Sequence, residues 1–96
     1  KEIRSLGGGS KSDIWRQIKA DVTQRPIASL AESECTSLGA AILAAVALGY
    51  YPDAQTAAEQ ANRIVDWKQP DGSLAALYEA LYQKYLSLYP RLKDLF

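Results

Sequence analysis

The run Leu6-Gly7-Gly8-Gly9-Ser10-Lys11-Ser12-Asp13-Ile14-Trp15-Arg16-Gln17 takes the chain from a short apolar segment through three consecutive glycines into an amphipathic helix. Three adjacent residues without Cβ let another molecule lie flat against the backbone. Ser12 and Asp13 are both good N-caps, so the helix opens there with its free N–H groups and positive dipole end facing the side of the glycines. The chemistry this suits is reception of an anion, a nucleotide phosphate above all. The spacing is not that of a Walker loop, because no glycine stands at the earlier position and Lys11 follows Ser10 rather than glycine. A dinucleotide fingerprint started at Gly7 has Ser12 in place of its last glycine, with no acidic residue closing a second strand about twenty residues on. Spacing alone therefore leaves two readings open, a generic nucleotide loop and a tight strand-to-helix turn that holds no ligand.

The elements that must carry this turn follow from periodicity. Glu2 to Leu6 alternates polar and apolar residues and predicts a strand ending at the glycines. Asp13 to Thr23 predicts a helix whose Ile14, Trp15, Ile18 and Val22 form the buried face, with Arg16, Lys19 and Asp21 in water. Pro26 stops it. Pro26 to Leu30 reads as a second strand, parallel to the first by a right-handed crossover. Two parallel strands leave both edges unpaired, which implies further strands outside the chain or a domain-swapped oligomer.

Glu32, Ser33 and Glu34 set a cap and acidic residues at the start of a helix running to about Leu48. Gly39, Ala40, Ala41, Ala44, Ala45 and Ala47 keep it thin for close core packing, and Gly49 suits its stop. Asp53 caps a helix from Ala54 to Val65, buried through Ala57, Ala58, Ala61 and Ile64 or Val65. Lys68 to Gly72 is a turn by composition. A last helix from Ser73 to Tyr89 carries Leu74, Leu77, Tyr78, Leu81, Tyr82, Tyr85, Leu88 and Tyr89 at helical spacing. Tyrosines so placed pack an apolar body on the core and keep the hydroxyl near water, although a sugar-stacking or base-stacking platform is the other reading of the stripe. Pro90 is expected to end this helix and Arg91 to Phe96 to form a tail. The segments are thus 1–31, strand, glycine turn, helix and strand; 32–51, small-residue helix; 53–66, helix; and 73–90, Tyr-rich terminal helix.

Composition narrows the partners. Of 96 residues, 48% are apolar and 23% charged, which suits one globular unit. Eleven basic and eleven acidic residues cancel and the cations are scattered, so no nucleic-acid surface is expected. Cys35 is the one cysteine and histidine is absent, so this chain assembles no zinc site, Cys-His pair or Ser-His-Asp triad. Cys35 reads as a small buried helix residue. Lys1 to Leu6 has no long apolar core of a secretory signal, and the apolar run Leu38 to Leu48 is too short to span a bilayer, so no membrane association and a cytoplasmic location are expected.

Gly7 to Val22, read as GGGSKSDIWRQIKADV, followed by Pro26 and then by Glu32-Ser33-Glu34-Cys35-Thr36-Ser37-Leu38-Gly39-Ala40-Ala41, resembles the C-terminal portion of the FGGY carbohydrate kinases, xylulokinases among its members most of all. The resemblance is strong from Ile3 to Tyr51 and weaker through the Tyr-rich helix. It implies an α/β fold, a fragment of the C-terminal actin-like (ribonuclease H-like) ATPase domain with strand-helix-strand followed by three helices. It further implies ATP-dependent phosphorylation, with Mg2+, of a sugar hydroxyl, D-xylulose giving D-xylulose 5-phosphate. Relatives acting on ribulose, gluconate, glycerol or a signalling sugar, and a stand-alone nucleotide-binding or interaction module, are the alternatives. The family's catalytic aspartate lies earlier than anything present here, and none of Asp13, Asp21, Asp53, Asp66, Asp71 or Asp94 sits in a matching motif, so no catalytic residue and no metal ligand is assigned. Gly7, Gly8 and Gly9 match the glycine turn against adenosine and phosphates, with Gly8 foremost. Ser12 matches a position where some relatives, glycerol kinases among them, place a nucleotide-contacting asparagine. Lys11 and Asp13 lie near this site but read as solvent-exposed, and Glu34 or Thr36 lie beside the cleft. The sugar would be bound through the missing N-terminal domain, and the parent is a possible homodimer.

Overall fold

The computed structural model describes residues 1–32 and 34–96. The expected capping role of Ser33 lies outside the described residues. Strand β1 (Ile3–Ser5) leads through a 3-10 turn (Gly8–Lys11) into helix α1 (Asp13–Thr23), then strand β2 (Ile27–Leu30) and helices α2 (Cys35–Ala47) and α3 (Ala54–Ala61). Strand β3 (Ile64–Lys68), a 3-10 turn (Gly72–Leu74), helix α4 (Ala75–Leu92) and a last 3-10 turn (Lys93–Leu95) follow. The α/β class and the strand-helix-strand opening are as expected.

Local chemistry sets the boundaries. The Ser12 hydroxyl accepts from the Trp15 N–H at 3.2 Å and caps α1. Gln24 ends α1 in the left-handed conformation, φ 50°, and Gly49 follows α2 with φ 80°. Asp53 Oδ1 accepts from the Thr56 N–H at 2.7 Å and starts α3, and that donor holds the Asp53 carboxyl below its ordinary range.

The sheet order is β1-β2-β3. β1 and β2 are parallel, with Ile3 opposite Ile27 and Ser5 opposite Ser29, as the crossover argument requires. β3 corrects the expectation of a helix over 53–66. The helix ends at Ala61, and Ile64-Val65-Asp66-Trp67-Lys68 pairs antiparallel with β2, Asp66 opposite Ser29 and Lys68 opposite Ile27. Branched and aromatic residues in alternation with charged ones favour a half-buried strand over a helix end. One strand expected outside the chain is therefore inside it, covering the far edge of β2.

The larger correction concerns which faces are buried. Ile14 is 75% exposed, Trp15 49% and Val22 50%, whereas Arg16 and Asp21, expected in water, are each 6% exposed. Helix α1 lies polar side down. The face of the sheet beneath it favours this, because Ser5, Ser29 and Asp66 stand in register across the three strands and offer polar partners beside the apolar row of Ile3 and Ile27. Lys19 Nζ donates to Ser5 Oγ at 3.1 Å and Arg16 Nη1 to Asp66 Oδ2 at 2.8 Å.

Apolar burial is confined among the described residues to Ala20, Ile27, Ala28 and Ala57. Helix α2 has no buried residue, and Cys35 is only half-buried at its first position. Helix α4 does not pack its aromatic stripe, since Tyr82, Tyr85 and Tyr89 are exposed. It also runs two residues past Pro90, which the fold tolerates because the bond lost at the proline nitrogen falls in the final turn and the Lys93 N–H still reaches the Tyr89 carbonyl. The chain exposes 7111 Å2, against about 5,400 Å2 for a compact protein of its mass. Its radius of gyration is 18.3 Å, against about 12 Å for a compact domain of this length. The faces that periodicity assigns to a core are apolar, and they are open.

Candidate functional site

Parallel strands β1 and β2 end side by side, and α1 and α2 start just beyond those ends. In α/β sheets this is the crevice where ligands bind. The glycine turn fills one side of it. Gly7 has φ 81° and ψ −174°, a conformation that side-chain-bearing residues rarely adopt. Gly8 and Gly9 open the 3-10 turn, so their N–H groups have no partner within it. The turn is braced from below by Ser10, a buried residue whose hydroxyl donates to the Gly7 carbonyl at 2.6 Å, while the Ser10 N–H reaches the same oxygen at 3.1 Å.

The three glycines differ in what surrounds them. A Cβ at Gly8 would meet nothing within 4 Å, and the same is true at Gly7, so this backbone faces open space. At Gly9 a Cβ would stand 3.4 Å from Trp15 Cδ1 and 3.5 Å from its Nε1. The indole lies against the turn on one side and carries Lys19 Nζ at 5.6 Å from its ring centre.

Ser12 is exposed, and its hydroxyl is engaged in the cap of α1. Lys11 is exposed at the end of the 3-10 turn. Asp13 is exposed as expected but not idle, since it accepts a hydrogen bond from Arg16 and lies 3.6 Å from Lys68 Nζ. On the far side of the crevice, Glu34 precedes α2 without making a side-chain cap bond, and both it and Thr36 are exposed. A groove of about 230 Å3 lies between the ends of β1 and β2 and α2, lined by Arg4, Leu6, Leu30, Cys35, Leu38 and Gly39 among others; none of Gly7 to Ser12, Glu34 or Thr36 lines it. A larger groove, about 670 Å3, lies between Val22, Thr23 and Gln24 of α1 and Tyr78 and Tyr82 of α4. It is at the other end of α1, about 15 Å along the helix from the glycine turn.

Periodicity alone hid the ionic cluster at the start of α1. Arg16 donates to Asp66 Oδ2 at 2.8 Å through Nη1 and to Asp13 through Nη2, while its Nε has no acceptor among the described residues. Lys68 Nζ stands 3.8 Å from Asp66. The Arg16 donor holds the Asp66 carboxyl below its ordinary range. The available signal was polar residues at positions 13, 16, 17, 21 and 24, a helical stripe that matches a polar bed as well as it matches water.

No group of three or more potential metal-ligating side chains occurs among the described residues, and none of their helices is long and apolar enough to cross a membrane.

Comparison with known proteins supplies context for this crevice. Residues 1–48 match the profile of the FGGY family of carbohydrate kinases, C-terminal domain. The chain is 37% identical over 93 residues to a xylulose kinase of Staphylococcus epidermidis, covering 97% of this chain and 19% of that protein. It is 46% identical over 81 residues to an uncharacterized sugar kinase of Escherichia coli, covering 84% of this chain and 16% of the relative. An autoinducer-2 kinase of Yersinia enterocolitica is 39% identical over 83 residues, with 86% and 16% covered. Among solved structures, a ligand-bound xylulose kinase from Lactobacillus acidophilus superposes with a TM-score of 0.86 at 30% identity, covering 96% of this chain and 19% of that one. A gluconate kinase from the same organism superposes with a TM-score of 0.84 at 31% identity, covering 95% and 18%. The chain thus spans less than a fifth of the length of each of these proteins.

Proposed function

Since the chain belongs to the FGGY family of carbohydrate kinases, within the actin-like fold of that family's C-terminal domain, we propose that it forms the nucleotide side of an ATP-dependent sugar kinase. The observation that carries this reading is the Gly7-Gly8 backbone, which faces open space at the carboxyl end of β1 beside the groove against α2. A nucleotide laid there meets bare backbone, free N–H groups and the opening of α1, all favourable to phosphate. In this reading Gly7, Gly8 and Gly9 line its path with Ser12 at the rim, and Glu34 and Thr36 stand exposed at the start of α2.

Phosphoryl transfer depends on positioning and charge stabilisation. This chain supplies positioning for the donor only. The base toward the sugar hydroxyl and the sugar pocket would belong to the remainder of a longer kinase, so this chain alone turns nothing over. Mg2+ would accompany the ATP phosphates and be held largely by the remainder of the longer kinase.

D-xylulose is the proposed acceptor, giving D-xylulose 5-phosphate, on the strength of relatives and structures named xylulose kinase. Gluconate and autoinducer-2 kinases of comparable similarity make a different sugar the second reading. A cytoplasmic location and a homodimeric parent are part of the same proposal. ADP release by the full-length kinase, screened across pentuloses, gluconate, glycerol and autoinducer-2, tests it. Turnover with D-xylulose far above the others is expected; preference for another sugar replaces the acceptor, and no sugar-dependent turnover at all removes the kinase reading.

A further inference from the structure

We propose that Arg16 and Asp66 are positioning residues for the nucleotide turn, a clamp that fixes the start of α1, and with it Gly7 to Ser12, against β3. The inference rests on the reading of the glycine turn as the nucleotide site and adds residues that touch no ligand.

Arg16 is 6% exposed and grips two elements at once, Asp66 of β3 through Nη1 and Asp13 of the first turn of α1 through Nη2. Asp13 follows the Ser12 cap directly, and Ser12 closes the 3-10 turn by donating its N–H to the Gly9 carbonyl at 3.4 Å. The planar guanidinium fixes direction as well as distance. Lys68, within 4 Å of both carboxylates, leaves the cluster of Arg16, Lys68, Asp13 and Asp66 without net charge. The opposite end of the turn is held separately, by Lys19 on Ser5.

The remaining side-chain ties of α1 lie further along and grip another segment. Gln17 Nε2 donates to the Gln69 carbonyl at 2.8 Å, Asp21 accepts from the Asp71 N–H at 2.8 Å, and Gln24 Nε2 donates to the Asp71 carbonyl at 3.0 Å. Loss of the Arg16 clamp leaves these in place. The helix then stays docked and pivots about its distal end, which moves the glycine turn more than anything else.

The test is ADP affinity by titration calorimetry in the full-length kinase, for Asp66→Asn, Arg16→Gln and Gln17→Ala. Asp66→Asn and Arg16→Gln are expected to weaken ADP by about tenfold, in line with the sensitivity of bound geometry to small displacements, with the KM for sugar unchanged. Gln17→Ala is expected to lower the melting temperature without altering ADP affinity. Should Arg16→Gln not fold, Asp66→Asn decides alone, because it keeps the side chain's size while removing the charge that holds Arg16. Unchanged ADP affinity in Asp66→Asn overturns the proposal whether or not the melting temperature falls, as does an equal loss in Gln17→Ala. Gly8→Val separates the two layers. If it weakens ADP and Asp66→Asn does not, only the clamp is lost; if Gly8→Val leaves ADP affinity unchanged, the site and the clamp fall together.

Discussion

Asp21, buried on α1, accepts the backbone N–H of Asp71 at 2.8 Å across fifty residues of sequence. Its Oδ1 also accepts from Gln17 Nε2 at 2.9 Å, so one carboxylate oxygen secures a helix to the turn that launches α4. Truncation at Asp21 strands the Asp71 N–H and leaves Gln17 Nε2 only the Gln69 carbonyl. Asp21→Ala is expected to lower unfolding free energy by about 1–3 kcal/mol, with Asp21→Asn costing less because it keeps an acceptor. Denaturant melts of the full-length kinase check this, and an unmoved midpoint for Asp21→Ala would show the contact to be energetically idle.

Gly7 and Gly8 are adjacent, yet their alanine variants should behave oppositely. At Gly7 the backbone has φ 81°, where an L-residue is strained by about 1–3 kcal/mol, so Gly7→Ala is expected to lower the melting temperature. At Gly8 a Cβ meets open space, so Gly8→Ala should leave the melting temperature near the parent's and weaken ADP. Equal stability losses in the two variants would contradict the assigned backbone conformations.

Asp66 gives the α1–β3 clamp a pH dependence whose sign is fixed. Hydrogen bonding from Arg16 holds its carboxyl below the ordinary value of 3.8, so the folded state binds this proton less readily than the unfolded chain. The stability it contributes is complete above the unfolded value, roughly pH 4, and disappears as pH falls through the lowered folded value. The difference in melting temperature between the parent and Asp66→Asn should be flat at neutral pH and shrink in acid. A gap that widens in acid is incompatible with this pair.

Trp15 offers an optical readout, because its indole lies 3.4 Å from where a Gly9 Cβ would stand. In a Trp67→Phe background of the full-length kinase with its other tryptophans replaced, Trp15 emission should shift on addition of ADP and not on addition of sugar alone. Emission insensitive to ADP at saturating concentration would place the nucleotide away from this turn.

The sequence was legible where local signals act alone. Ser12 and Asp53 cap the helices expected of them, α1 covers the residues its period predicted, and β1 pairs with β2 in parallel. The strand at Ile64 to Lys68 was missed because the preceding alanines continue a helical pattern into it, and only the alternation of branched and charged residues argues otherwise. The face of α1 was misread for a deeper reason. A 3.6-residue period identifies two faces but not which of them meets the sheet, and that depended on Ser5, Ser29 and Asp66, residues of three strands whose register no local pattern contains. In the same way, the glycines and Ser12 announced a turn, whereas the Arg16–Asp66 contact behind it joins residues fifty positions apart.

A helix held by hydrocarbon alone can shift slightly along its axis at modest cost, since apolar contacts are non-directional. Helix α1 has no such latitude. Displacing it by a residue would separate Arg16 from Asp66, Gln17 from the Gln69 carbonyl and Asp21 from the Asp71 N–H together, leaving buried polar groups without partners. Mis-registered arrangements of this segment are thereby excluded during folding as well as in the finished protein, and the polar underside of α1 acts as a proofreading surface for the unit that carries the glycine turn.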